Sequence, residues 1–183
     1  MRFKFRCFSD EGTWTDIFAT LQTVDTMVVG RGMHTGYFGY WHDASTSPTA
    51  TPNEQRYAAN SARTPHFVVS RTLRSVEWAN ASVLGGVDQI AQLQEKSGGD
   101  IILYGGPTLA AAVIDAGLID EYHFMVHPLI AGRGKKLLPA DREVSVADCI
   151  NVRTSLALCD NLNASSASRG NVAMLGAVSD SAG

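Results

Sequence analysis

Three short stretches join an apolar run to residue types that suit a phosphate group: VVGRGMHTG (28–36), VVSRTL (68–73) and YGGPTL (104–109). Glycine lets a backbone approach a ligand closely. The amides at a helix start, and arginine side chains, favour phosphate oxygens. A strand–glycine–helix junction is also a common turn, so one such stretch carries little weight alone. Arg31, Arg71 and the pair Gly105-Gly106, each at the end of an apolar run, reinforce one another.

Other residues invite chemistry less strongly. His123 and His127 stand in the strand-like run EYHFMVHPLI. Four residues of strand span about 13 Å, too far for one ion to be shared, so no metal is expected. Asp120 and Glu121 read as a polar turn before that strand, with substrate contact as the competing role. Asp25 reads as a helix end. Tyr37, Phe38, Tyr40 and Trp41 either wall a flat heterocycle or fill the core. Cys7, Cys149 and Cys159 show no C-x-x-C spacing and read as buried thiols. No serine–histidine–aspartate or cysteine–histidine pattern supports nucleophilic catalysis, and no catalytic residue is assigned.

The elements that must position these residues follow from hydrophobic spacing. TDIFATLQTVDT places Ile17, Phe18, Leu21 and Val24 on one helical face, and the strand TMVVG follows. HDASTSPTATPNEQ reads as a surface loop. At its end Thr51, Pro52 and Glu54 form a capping box with proline at the first helical position, so a helix starts there. HFVVS and ASVLGG are short strands, and VDQIAQLQEKSGG is a helix stopped by its glycines. DIILYGG is a continuous apolar strand of the kind buried on both faces. PTLAAAVIDAG is a helix with Pro107 at its start and Gly117 past its end. INVRTSLAL and NVAMLGAV are read as a closing hairpin. The predicted architecture is α/β with a mostly parallel sheet flanked by helices and an antiparallel C-terminal edge.

The 183 residues suit one domain, read across 1–183 with 179–183 as a disordered tail. The chain is 45% apolar and 18% charged with a net charge of -3, which gives no reason to expect nucleic acid or an anionic membrane as partner. No apolar run approaches the ~20 residues of a membrane helix, and the basic start MRFKFRCFSD lacks an apolar signal core. The expected localisation is cytoplasmic. A Rossmann dinucleotide site fits poorly. G-x-G-x-x-G is absent, and the acids Asp120 and Glu121 stand at the beginning of the next strand rather than its end. Arginines near the first two strand ends suit a phosphorylated ribose, hence NADP rather than NAD.

With these stretches in hand, the chain resembles the dihydrofolate-reductase-like superfamily. It is most similar to the reductase domain of bifunctional riboflavin-biosynthesis deaminase-reductases and its stand-alone bacterial relatives. The resemblance rests on VDTMVVGR (24–31), TPHFVVSRTL (64–73), VEWANASVL (76–84), GGDIILYGGPTLAAAVIDAGLIDEY (98–122) and HPLIAGRGKKLLP (127–139). It implies a dihydrofolate-reductase-like sheet, NADPH as cofactor, a small-molecule substrate of pteridine or pyrimidine type, and a homodimer. It also implies that Gly30 and Arg31 form the first phosphate-contacting turn. Ser70, Arg71 and Thr72 would surround the adenosine 2′-phosphate, and Gly105, Gly106, Pro107, Thr108 and Leu109 the pyrophosphate. Two departures stand out. The family's Gly-Arg-x-Thr-Tyr becomes Gly-Arg-Gly-Met-His, with Met33 and His34 where the hydroxyl residues belong and Thr35 two residues late. The opening strand with its Ser-Leu-Asp-Gly-like turn is either degenerate, as FKFRCFSDEG, or missing, in which case another segment or a partner chain fills its place. The leading expectation is an NADPH-dependent reductase. The alternatives are an NADP-binding, sensor-like domain without turnover, and a truncated or frame-altered product that needs a partner.

Overall fold

The computed structural model describes residues 11–96, 98–126, 150–154 and 172–178, with side chains up to His123. Its elements alternate as α1 (Glu11–Thr20), β1 (Val24–Gly30), α2 (Arg31–Thr46), α3 (Pro52–Arg63), β2 (His66–Val69), β3 (Ala81–Leu84), α4 (Asp88–Gln94), β4 (Asp100–Tyr104), α5 (Pro107–Asp115), β5 (Glu121–Val126), β6 (Ile150–Thr154) and β7 (Val172–Val178). The strands form one sheet in the order β3-β2-β1-β4-β7-β5-β6. The expected α/β architecture, a parallel sheet flanked by helices, is what the chain adopts.

Two local signals act as read. Thr51 accepts from the Glu54 amide at 3.3 Å, and the Glu54 carboxylate accepts from the Thr51 amide at 2.7 Å, closing the capping box that starts α3. Pro107 opens α5. Gly117, at φ 67, ends it, with the Leu118 amide reaching back to Val113 O.

The sheet is buried on both faces, and alternation along its strands assigns side chains to each. Val28, Ile101 and Leu103 pack with Leu84, Ile90, Ala110, Val113 and Ile114 under α4 and α5. Met27 and Ile102 pack with Leu21 and Tyr57 under α1, α2 and α3. Full burial of such side chains stabilises by roughly 1.5–3 kcal/mol each, so β1 and β4 anchor both layers.

Four expectations are corrected. The C-terminal strands do not form an antiparallel hairpin. β7 lies between β4 and β5, parallel to both, and β6 lies outside β5, also parallel. Parallel neighbours need connections of a dozen residues or more, and the intervening 127–149 and 155–171 are long enough. Among the described residues, β7 therefore occupies the position beside β4 on the side away from β1. Second, residues 42–46 belong to α2 rather than to a loop. Gly32, Gly36 and Gly39 weaken the helical signal there, and burial of Phe38 and Ala44 overrides it. Third, α1 ends at Thr20, so Val24 is the first residue of β1, although it still packs in the same core as Ile17 and Phe18. Fourth, Asp25 belongs to β1 and not to a helix end. Its carboxylate accepts from the Gly99 amide at 2.6 Å and from Thr26 Oγ1 at 2.9 Å, tying the start of β1 to the turn before β4. The opening segment before Glu11, the three cysteines, His127 and the tail 179–183 lie outside the described residues.

Candidate functional site

The register brings the three suspected turns to one edge of the sheet. Gly30 at the end of β1 faces Val69 of β2, and Val29 faces Tyr104 of β4. Because the strands are parallel, the chain leaves all three toward the same side. This crevice at the carboxyl ends of strands is where open α/β sheets bind ligands.

Two helices start there side by side. Gly30 caps α2 and Gly106 caps α5, both with extended backbone and neither with a side-chain cap. Their first-turn amides are the groups that an anion can satisfy, and both dipoles present their positive ends. The glycines make this closeness feasible. A Cβ on Gly30 would stand 3.4 Å from the Gly106 amide nitrogen and 3.6 Å from Leu109 Cβ. A Cβ on Gly105 would stand 3.3 Å from the Ala110 nitrogen. Leu109 therefore serves as packing between the two junctions. Pro107 is half-buried and Thr108 exposed on the first turn of α5.

The third turn is built differently. Ser70 is buried, and its Oγ accepts from the amides of Thr72 at 3.2 Å and Leu73 at 3.0 Å. This folds the chain sharply after β2 and holds Arg71 and Thr72 in solvent. Arg31, the first residue of α2, is exposed as well. The site thus combines two uncapped helix starts with two exposed guanidiniums.

Met33 and His34 occupy the first turn of α2. A Cβ on Gly106 would meet Met33 Cγ at 3.9 Å, so a thioether rather than a hydroxyl adjoins the α5 junction. His34 Nδ1 donates to Arg31 O at 2.6 Å, since a carbonyl only accepts. Its Nε2 is left as an acceptor, 3.3 Å from Thr35 Oγ1.

Beneath the site lies a hydroxyl network that sequence reasoning missed. Tyr37 OH is 3.0 Å from Tyr57 OH, 3.3 Å from Ser61 Oγ and 3.4 Å from His66 Nε2. His66 Nδ1 lies 2.7 Å from Thr64 O, which assigns the ring proton to Nδ1 and the lone pair to Nε2. Burial holds the His66 pKa below its ordinary value, so the ring is neutral at pH 7. Burial likewise raises the pKa values of Tyr37, Tyr57 and Tyr104. The Tyr37 and Tyr104 rings lie 5.6 Å apart, directly before the Gly105 turn. A tyrosine closing the apolar run DIILY was the available signal.

The aromatic cluster divides by role. Tyr37 and Trp41 pack against the core, and Phe38 stacks on Trp78 with centroids 4.9 Å apart. Tyr40 is exposed and its hydroxyl donates to Glu54 at 2.5 Å. His123 lies on β5 with its Nε2 2.9 Å from a Glu121 carboxylate oxygen. Asp120 and Glu121 stand at the start of β5, at the sheet end away from the glycine turns. Among the described residues no helix is long and apolar enough to cross a membrane.

The family model described as the RibD C-terminal domain matches residues 8–160. An uncharacterized protein of Bacillus subtilis (strain 168), YyaP, is 32% identical over 92 residues, covering 48% of this chain and 47% of that protein. The chain therefore matches across about half the length of this curated relative.

Proposed function

The chain belongs to the RibD C-terminal domain family, which is reductase-related, and on that premise we propose that it is an NADPH-dependent reductase acting on a small heterocycle of pteridine or pyrimidine type. The observation that carries the reading is the pair of uncapped helix starts at Gly30 and Gly106, packed against each other at the strand ends. The donor set fits a dinucleotide phosphate. Amides of the first turns of α2 and α5 would hold the pyrophosphate. Arg71, presented by the Ser70 turn, would pair with the 2′-phosphate, with Thr72 beside it and Arg31 adding positive charge. NADPH supplies the hydride itself when bound, so the protein needs no nucleophile. The chain's own contribution is to bind, to orient and to keep water away. Tyr37 ties α2 to α3 and β2 through its hydroxyl, and Met33 places an apolar group beside the α5 junction. A homodimer is the proposed assembly.

A second reading, nucleotide binding without turnover, is favoured by Met33 standing where the family has a hydroxyl. The test is a fluorescence titration of the purified chain with NADPH and NADH. NADPH binds in the micromolar range, NADH more weakly, and Arg71→Ala weakens NADPH by about tenfold, the loss of one charge-assisted contact. A folded sample that binds neither nucleotide refutes both readings. Binding without oxidation across a panel of pteridines and pyrimidines selects the second.

A further inference from the structure

At the sheet end opposite the glycine turns, α1 and α3 enclose a cleft of about 240 Å³ lined by Phe18, Leu21, Gln22, Arg56, Asn60 and Arg63. Leu21 and Gln22 precede β1, and Arg63 ends α3 just before β2, which sets the cleft at the strands' amino ends. It shares no residue with the proposed nucleotide site.

Three features of its lining point to a ligand. The side-chain nitrogen of Asn60 is buried and has no hydrogen-bond partner among the described residues. Native proteins leave few such groups unpaired. Next, two arginines line the cleft, neither ion-paired with a carboxylate among the described residues. Arg56 sits 3.9 Å above the Phe18 ring, and Arg63 Nε donates to Ala59 O at 3.2 Å, which steadies the head and leaves its terminal N–H groups available. Finally, the floor is apolar: Leu21 is buried, and Phe18 is stacked on Trp14 with centroids 5.6 Å apart.

We propose that this cleft binds a small organic carboxylate. The planar guanidiniums match a carboxylate edge. The Asn60 amide, turning about its soft χ2, donates to the same oxygens. Phe18 and Leu21 carry the ligand's apolar body. The volume lies below the usual range of about 300–1,000 Å³ for drug-sized ligands, which suits a benzoate-sized molecule and excludes a dinucleotide.

The experiment is calorimetric titration of the full chain with sodium benzoate, and with inorganic phosphate at matched ionic strength. Benzoate saturates with a Kd at or below about 1 mM, and phosphate binds at least about tenfold more weakly because it lacks the apolar body. Arg56→Gln and Arg63→Gln each weaken benzoate by about tenfold. Asn60→Leu abolishes benzoate binding yet leaves Tm unchanged or raised, because it removes an unpartnered donor. Both arginines are exposed, so their variants keep the fold. Absence of saturation by benzoate at about 10 mM overturns the proposal. So do equal affinity for phosphate, benzoate binding unaffected by both arginine variants, or a Tm lowered by Asn60→Leu. NADPH binding is read separately, so failure here leaves the reductase reading standing.

Discussion

Removing one oxygen from the network under α2 tests how that helix is held. In Tyr37→Phe the ring and its packing stay, and only the hydroxyl is lost. Tyr57 then loses its 3.0 Å partner but keeps its hydrogen bond with Tyr104, while Ser61 Oγ, at 3.4 Å, can still donate to His66 Nε2. A net hydrogen bond is worth about 0.5–1.5 kcal/mol and an orphaned buried hydroxyl costs about 1–3 kcal/mol. With Tyr104 and Ser61 compensating, no hydroxyl is orphaned and the expected loss is about 1 kcal/mol. Urea unfolding with an m-value near 2 kcal/mol/M would show it as a midpoint lowered by about 0.5 M. The stronger test is a cycle with Tyr57→Phe. Once Tyr57 has lost its hydroxyl, removing that of Tyr37 breaks one fewer hydrogen bond, so the double variant should lose about 1 kcal/mol less than the sum of the singles. Strict additivity, or a Tyr37→Phe cost under about 0.5 kcal/mol, would refute the view that these hydroxyls act as one unit.

Stability should also fall in acid through His66. Its folded pKa is lowered by burial, so below about pH 6.5 the unfolded chain takes up a proton that the folded chain refuses until the pH passes its lower value. The buried tyrosines act at the other end: their raised values mean that stability, complete below pH 10, is lost as the pH rises above it. Unfolding midpoints across pH 5–11 check both signs, and His66→Gln should flatten the acid limb alone. Gly39→Ala, on an exposed part of α2 with nothing within 4 Å of the new methyl, should raise stability by about 0.5–1 kcal/mol, whereas Gly117→Ala, at φ 67, should lower it by about 1 kcal/mol. Gly105→Ala places a methyl 3.3 Å from the Ala110 nitrogen and must shift the first turn of α5. NADPH affinity should fall at least about fivefold, near 1 kcal/mol, read by the same fluorescence titration.

Local physics was readable from the residues alone. The capping box at Thr51 and Glu54, the proline and glycine bounding α5 and the two-sided burial of DIILY each depend on preferences that act within a few residues. The three glycine and arginine turns could likewise be picked out as strand ends, because an apolar run that stops at glycine marks its own boundary. What needed the folded chain was every relation across distance. That Gly30 lies beside Gly106, and that Tyr37, Tyr57 and His66 meet, follow from strand register and helix packing, which no single stretch encodes. Helix α2 formed against its glycines because the sheet face offered burial to Phe38 and Ala44. The two last strands could have closed on each other as a hairpin. Their long connection removed that constraint, and pairing between β4 and β5 gave β7 neighbours on both sides instead of one, which is why the sheet runs parallel where a hairpin was expected.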